Sequence, residues 1–245
     1  MDITKKHINK AINRISATNQ SEIVAELDHI MKNTDSNTLS NYLYFYAKTA
    51  VDQAASQTSD LKKVLPYIQV TCELTNNFPA ILDSAIGYIH FNSGFTMPIN
   101  SEIGSNSQIT DFKKIGYKEV DGKLENRIQF MNRMNDIITV YAMIIQHNPP
   151  GHQYGIDKGW EWIAAILNSQ HHLFTIEILD SFLGIAAYKM YQTYKSKFVK
   201  ILEFIRIHLL TKPPTDSDKG SIFRLTILIE NFQKTNEIPK PCFLV

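Results

Sequence analysis

Apolar side chains return at every third or fourth position along most of this chain, the spacing of one buried face on an α-helix. Residues 3–17 align Ile8, Ile12 and Ile15 on one stripe. Residues 21–32 carry Ile23, Leu27 and Ile30 behind Ser21, a residue type suited to an N-cap. Over 38–55 the face broadens to Leu39, Tyr42, Leu43, Tyr46, Ala47 and Ala50. Two more helices are predicted at 60–76, opened by Asp60, and at 78–90, limited by Pro79. The period resumes at 124–147, 157–168, 175–194, 196–210 and 218–234, with Pro149-Pro150, a histidine-containing turn and Pro213-Pro214 as breaks. Serial helices with short connections predict an all-α fold, a right-angle or solenoid-like stack.

The pattern breaks at 91–125, FNSGFTMPINSEIGSNSQITDFKKIGYKEVDGKLE, where glycine, serine, asparagine and proline are dense. Phe95, Met97, Ile109, Phe112 and Ile115 recur within it, more apolar anchors than a disordered linker needs, so the stretch is predicted to be an ordered, docked excursion. A short helix is expected at 108–115, ended by Gly116, and a small hairpin through Asp121-Gly122. The tail EIPKPCFLV sets two prolines before apolar residues and is expected to dock rather than fray.

Composition narrows the function classes. The 245 residues are 44% hydrophobic and 20% charged, a folded composition. With 25 basic and 24 acidic residues, the net charge of +1 gives no global attraction to DNA, RNA or an anionic membrane. Cys72 and Cys242 cannot form a disulfide framework and lack nearby histidines at zinc-ligand spacing, so a reduced compartment is expected. No 18-residue apolar run is present, and no membrane insertion is expected.

The stretch GHQYGIDKGWEWIAAILN (151–168) gathers the residues most suggestive of chemistry. Trp160, Ile163, Ala164 and Leu167 recur at helical spacing, so Trp160 and Leu167 are read as core residues, Asp157 as a first-turn carboxylate favoured by the positive helix end, and Gly159 as a close packing contact. His152 is read as structural as well. A catalytic reading of His152, Asp157 and Glu161 lacks a nucleophile in a recognisable elbow. His171-His172 lack the carboxylate or thiolate partners of a metal site, and no P-loop occurs; no catalytic residue and no metal are assigned. Lys189, Lys195, Lys197 and Lys200 occur without an intervening acid, as a solvated face or a patch that docks a protein or phosphate. Tyr188, Tyr191 and Tyr194 look like inward helix positions rather than a base-stacking platform.

Residues 107–147 resemble the central segment of the C-terminal domain of the Gle1 family through Phe112, Gly116, Tyr117, Leu124-Glu125 and Arg133-Met134. The next stretch is similar to the family's His-x-x-Gly and Trp-x-Trp-x-Ala-x-x-Leu-Asn pattern, at His152, Gly155, Trp160, Trp162, Ala164, Leu167 and Asn168. GSIFRLTILIENF and IPKP resemble its closing helix and proline tail, at Gly220, Phe223, Arg224, Leu225 and Leu228, which makes Phe223 a further structural candidate. The resemblance covers nearly the whole chain. It implies a HEAT-like helical stack with one irregular excursion, and a single domain over 1–245 without the family's N-terminal coiled-coil region.

The resemblance also implies a non-enzymatic activator of a DEAD-box RNA helicase in mRNA export. Such a protein contacts both RecA-like lobes and favours an open state that promotes RNA or nucleotide release. It would sit at the cytoplasmic face of the nuclear pore complex, with access to cytoplasm and nucleus. It would meet an FG-nucleoporin through a short non-repeat segment of that partner, and RNA only indirectly. The alternative is a nucleoporin-binding scaffold without helicase activation; a third reading is an enzyme using His152, His171 and His172. In fungal members inositol hexakisphosphate bridges domain and helicase. Here the match retains Lys48, but Asp52 stands where a basic residue is expected, and Tyr88, Phe91 and Asn92 occupy a second basic position. The expectation is weak or absent dependence on inositol hexakisphosphate, with no cofactor required. Lys48, Lys62 and Lys63 are the first candidates for the helicase contact, and Lys189, Lys195 and Lys197 for another protein surface.

Overall fold

The computed structural model describes residues 2–97, 113, 115–147, 149 and 152–244, which divide into two compact units, Met1–Asn92 with Pro149–His152, and Ser93–Asn148 with Gln153–Val245. Its regular structure is helical apart from one two-stranded hairpin among the described residues.

The first unit contains α1 (Ile3–Ile12), α2 (Gln20–Lys32), α3 (Ser36–Ala55), α4 (Leu61–Thr75) and α5 (Ala80–Asn92). Asp2, Asp35 and Asp60 cap α1, α3 and α4 by accepting first-turn N–H groups, which fixes those boundaries chemically. The cap predicted at Ser21 is corrected: α2 starts one residue earlier, after Asn19, and has no side-chain cap. The Asn19 amide is committed to the preceding turn, accepting the Ser16 N–H at 2.9 Å and donating to the Arg14 carbonyl at 2.7 Å. Helix α3 packs against α1, α4 and α5, and Tyr46 at its centre is fully buried with its hydroxyl 3.1 Å from Thr71 Oγ1.

The second unit contains the hairpin β1 (Glu119–Val120) and β2 (Lys123–Leu124), then α6 (Arg127–Gln146), α7 (Ile156–Asn168), α8 (Thr175–Tyr194), α9 (Ser196–Phe204) and α10 (Lys219–Thr235). The expected Asp121-Gly122 turn is present with φ of 51° and 74°, the left-handed pair a two-residue hairpin requires. The helix expected at 108–115 lies outside the described residues apart from Lys113 and Ile115, and Ile109 and Phe112 lie outside them too. Phe95 and Ile115 are buried as expected, whereas Met97 is exposed. Asn126 and Gln129 form a reciprocal capping box at the start of α6. The stretch 196–210, read as one α-helix, widens into a π-helix over Ile205–Leu210.

Helix α6 packs along α8, and α7 closes over both. Gly159 permits that closure: a Cβ built there would lie 2.9 Å from Ile145 Cγ2 and 3.1 Å from Phe182 Cζ. The tail is docked as expected, with Ile238 and Phe243 buried.

Candidate functional site

The aromatic stretch that looked most like chemistry is a packing element. Trp162, 3% exposed, stacks on Phe182 with ring centres 4.4 Å apart and donates its Nε1–H to the Phe95 carbonyl at 2.9 Å. The buried face of α7 is therefore Ile156, Gly159, Trp162, Ile163 and Ile166. This corrects the face assigned from sequence: Trp160 is half-buried against Tyr194, 4.4 Å between ring centres, and Leu167 is half-buried too. The helix is turned so that the second tryptophan of the Trp-x-Trp pair enters the core. Asp157 is exposed in the first turn and forms no cap, since Gly155 holds that position. His152 is half-buried, its N–H donated to the Pro149 carbonyl at 3.1 Å. Phe223, read as structural, is corrected: it lies 65% exposed on α10, while Ser221, Leu225, Ile229 and Phe232 form the buried stripe.

The two adjacent histidines organise the turn before α8. Phe174 donates its N–H to Nδ1 of His172 at 3.2 Å, and His171 Nε2 lies 3.2 Å from the Leu167 carbonyl. Burial, with the neighbouring His171 charge, pushes the His172 pKa down to about 4, so its imidazole is neutral and free to accept.

The basic candidates fall on both units. Lys48 on α3 donates to Asp52 one turn on at 2.7 Å and to the Tyr88 hydroxyl of α5 at 3.2 Å, while Tyr88 donates to Asp52 at 2.8 Å. The Asp52 bond raises the Lys48 pKa, with burial opposing. The aspartate predicted to repel anions is thus the counter-ion of the lysine predicted to bind them. Lys48 also lines a cleft of about 290 Å³ with Lys5, Thr38, Asn41 and Tyr42; Asp2 contributes opposing charge. Lys5 was not singled out from sequence, because its partner on the cleft lies a full helix hairpin away. Its ammonium lies 5.5 Å from the Phe45 ring centre. Two ammonium groups with the Asn41 amide form a donor set that suits phosphate oxygens, while the Thr38 and Tyr42 hydroxyls donate to Asp35 and Asp2.

Lys62 and Lys63 are exposed in the first turn of α4, where Lys63 is 3.9 Å from Asp60. In the second unit Lys189 is half-buried on α8, Lys195 and Lys197 are exposed, and Tyr188, Tyr191 and Tyr194 are half-buried rather than fully inward. Lys195 links α8 to α9 with φ 46° and ψ −120°, its Nζ 3.1 Å from Gln192 Oε1 and 5.3 Å from the Tyr191 ring centre. Sequence reasoning also passed over Glu177 in TIEILDSFLGIAA. Its signal was an acid set within the apolar face of a long helix, and it is the one buried charged residue among those described.

Helices packed around aromatic and aliphatic cores in each unit, with one short hairpin among the described residues, define an all-α, helical-repeat-like protein. Residues 1–206 match the GLE1 family, described as GLE1-like protein, and the chain belongs to that family. It is 28% identical over 213 residues to mRNA export factor GLE1 of Rattus norvegicus, covering 81% of this chain and 30% of that protein. It is 24% identical over 236 residues to mRNA export factor GLE1 of Arabidopsis thaliana, covering 92% of this chain and 34% of that protein. The chain thus spans about a third of the length of the curated relatives it matches. The fold is similar, at TM-score 0.83 and 24% identity, to a solved complex of the S. cerevisiae Dbp5 C-terminal domain bound to Gle1 and IP6, covering 97% of this chain and 86% of that one. A second complex of the same composition, with a Gle1 variant, gives TM-score 0.82. These complexes overturn the expectation of a weak or absent inositol hexakisphosphate role, since IP6 is bound in both.

Proposed function

We propose that this chain acts in mRNA export at the cytoplasmic face of the nuclear pore complex as a non-enzymatic partner of a Dbp5-type DEAD-box RNA helicase, with inositol hexakisphosphate as a ligand of the contact. The observation that carries the reading is the family match across residues 1–206, with relatives named as mRNA export factors. The fold likeness to Gle1 in complex with Dbp5 and IP6 supports it. Lys5 and Lys48, which line one cleft, would hold phosphate groups there, and Lys62 and Lys63 would add positive charge to the helicase side. The ligand supplies negative charge between two basic surfaces. Lys189, Lys195 and Lys197 are the candidates for a second protein surface, an FG-nucleoporin segment among its possible occupants.

The mechanism is a population shift. The helicase alternates between closed and open arrangements of its two RecA-like lobes, and a partner that binds the open one more tightly promotes release of RNA or nucleotide. Equal affinity for both would change nothing, however tight the binding. The test is RNA-dependent ATP turnover by the cognate export helicase, with and without this chain and inositol hexakisphosphate. Stimulation by the chain, without hydrolysis by the chain alone, is expected. Binding without stimulation would favour the scaffold reading, and hydrolysis by the chain alone that is lost on replacing His171 and His172 would overturn the assignment.

A further inference from the structure

A second cleft, about 630 Å³ and open to solvent, lies between α6, α8 and the start of α10. Glu177 on α8 lines it and is only 4% exposed. Its Oε1 accepts from Arg127 at 3.3 Å, but its buried Oε2 has no hydrogen-bond partner among the described residues. The Ser217 hydroxyl, on the same lining, is also buried and unpartnered among them. Buried polar atoms are nearly always paired, so two unpaired ones beside a single cleft mark it as built for something that enters.

The neighbouring charges define what enters. Arg127 is already divided between Glu177, the Asp216 carbonyl at 2.5 Å and the face of Phe174, 5.5 Å from the ring centre. Arg224 is held by Asp180 at 2.6 Å and by the Ser221 hydroxyl at 2.9 Å. Arg127 is matched by Glu177 and Arg224 by Asp180, which leaves Lys219 on the lining against the carboxylates of Asp216 and Asp218. Asp218 is occupied capping α10, accepting the Ser221 N–H at 2.7 Å. An anion would meet two unmatched carboxylates against one ammonium; a hydrogen-bond donor carrying positive charge meets two waiting acceptors, Glu177 Oε2 and Ser217 Oγ. Ile128, 73% exposed, and Met131 give the lining an apolar strip along which methylene groups can lie.

We propose that this cleft receives a lysine side chain from a partner polypeptide, with Glu177 Oε2 and Ser217 Oγ accepting from its ammonium group and Ile128 and Met131 packing its stem. Burial raises the Glu177 pKa, opposed by Arg127, and an incoming ammonium would add to that opposition. The cleft lies wholly in the second unit and shares no residue with the Lys5–Lys48 cleft, so this site and the helicase reading stand or fall separately.

The test is amide chemical-shift titration of the whole chain with Nα-acetyl-lysine methylamide, beside the arginine and norleucine counterparts and sodium acetate. Saturable shifts confined to amides around 177 and 216–219 are expected with the lysine compound and not with norleucine or acetate. Glu177→Gln should weaken the lysine compound by about thirtyfold or more, as truncating one side of a buried charge pair does. Ser217→Ala, which leaves the buried carboxylate in place, should weaken it several-fold and serves if the first variant does not fold. Absence of saturable shifts in the unmodified chain, equal response to norleucine, or tighter binding of acetate or of the arginine compound would overturn the assignment.

Discussion

Replacing Gly159 by alanine isolates the close approach on which the second unit is built. Alanine is about 1 kcal/mol better than glycine within a helix, so where a new Cβ meets open space the substitution should stabilise. Gly184 on α8 is such a place, with nothing within 4 Å of a built Cβ. At Gly159 the same carbon would sit 2.9 Å from Ile145 Cγ2, 3.1 Å from Phe182 Cζ and 3.7 Å from Met190 Sδ. Ile145, Phe182 and Met190 are themselves fully or almost fully buried, so the neighbours have little room to give. Overpacking of this kind costs about 1–3 kcal/mol. Gly184→Ala is therefore expected to gain about 1 kcal/mol, and Gly159→Ala to fall below it by about 1–3 kcal/mol. Urea unfolding followed by tryptophan fluorescence measures the difference in the right place, because Trp160 and Trp162, the only tryptophans, both belong to the second unit. A Gly159→Ala midpoint as high as that of Gly184→Ala would refute the packing argument.

Other outcomes follow from individual contacts. Trp162→Ala should cost about 3–5 kcal/mol as a large buried residue, and Trp160→Ala less than half as much; equal losses in urea unfolding would contradict the face assigned to α7. Lys195→Gly should stabilise by about 1 kcal/mol by relieving a left-handed φ that a side chain disfavours, whereas Lys195→Ala should not, and equal midpoints would show the linker to be unstrained. His172 binds protons in the unfolded chain from its ordinary pKa of 6.5 downward but in the folded chain only near pH 4, so its contribution falls as pH drops through that window. The loss is roughly 3–4 kcal/mol at most. His172→Asn, which retains an acceptor and cannot titrate, should flatten the slope of unfolding free energy between pH 6.5 and 4. Glu177 and Asp180, whose pKa values burial raises, act with the opposite sign and cancel in the difference between the two proteins. Asp52→Asn removes the counter-charge beside Lys48 and should raise inositol hexakisphosphate affinity roughly fivefold, about 1 kcal/mol for an exposed pair screened as in water; calorimetric titration showing no change would place the ligand elsewhere.

Much of the local structure was legible along the chain because its causes are local. Helical periodicity and flanking breakers located α8 at 175–194 as observed, the Asp60 carboxylate opened α4, and Asp121-Gly122 turned the hairpin. The lysines 48, 62 and 63 were legible as candidates through family resemblance. Their surroundings were not, since Tyr88 bonds Lys48 from another helix and Lys5 shares its cleft from a third.

What the amino-acid order determined by itself was an all-α chain of the Gle1 family, most of its helices, the Asp60 cap and its docked tail, because hydrophobic period and capping act within a few residues. Which tryptophan of Trp160 and Trp162 enters the core was decided by α6 and α8, since a broad apolar face on α7 tolerates more than one rotation about its axis. The same holds for Phe223, an aromatic in a matching motif that the packing of α10 leaves in solvent. The cleft around Glu177 joins residues 127, 177 and 216–218, and separations of that length acquire meaning only when folding places their charges side by side.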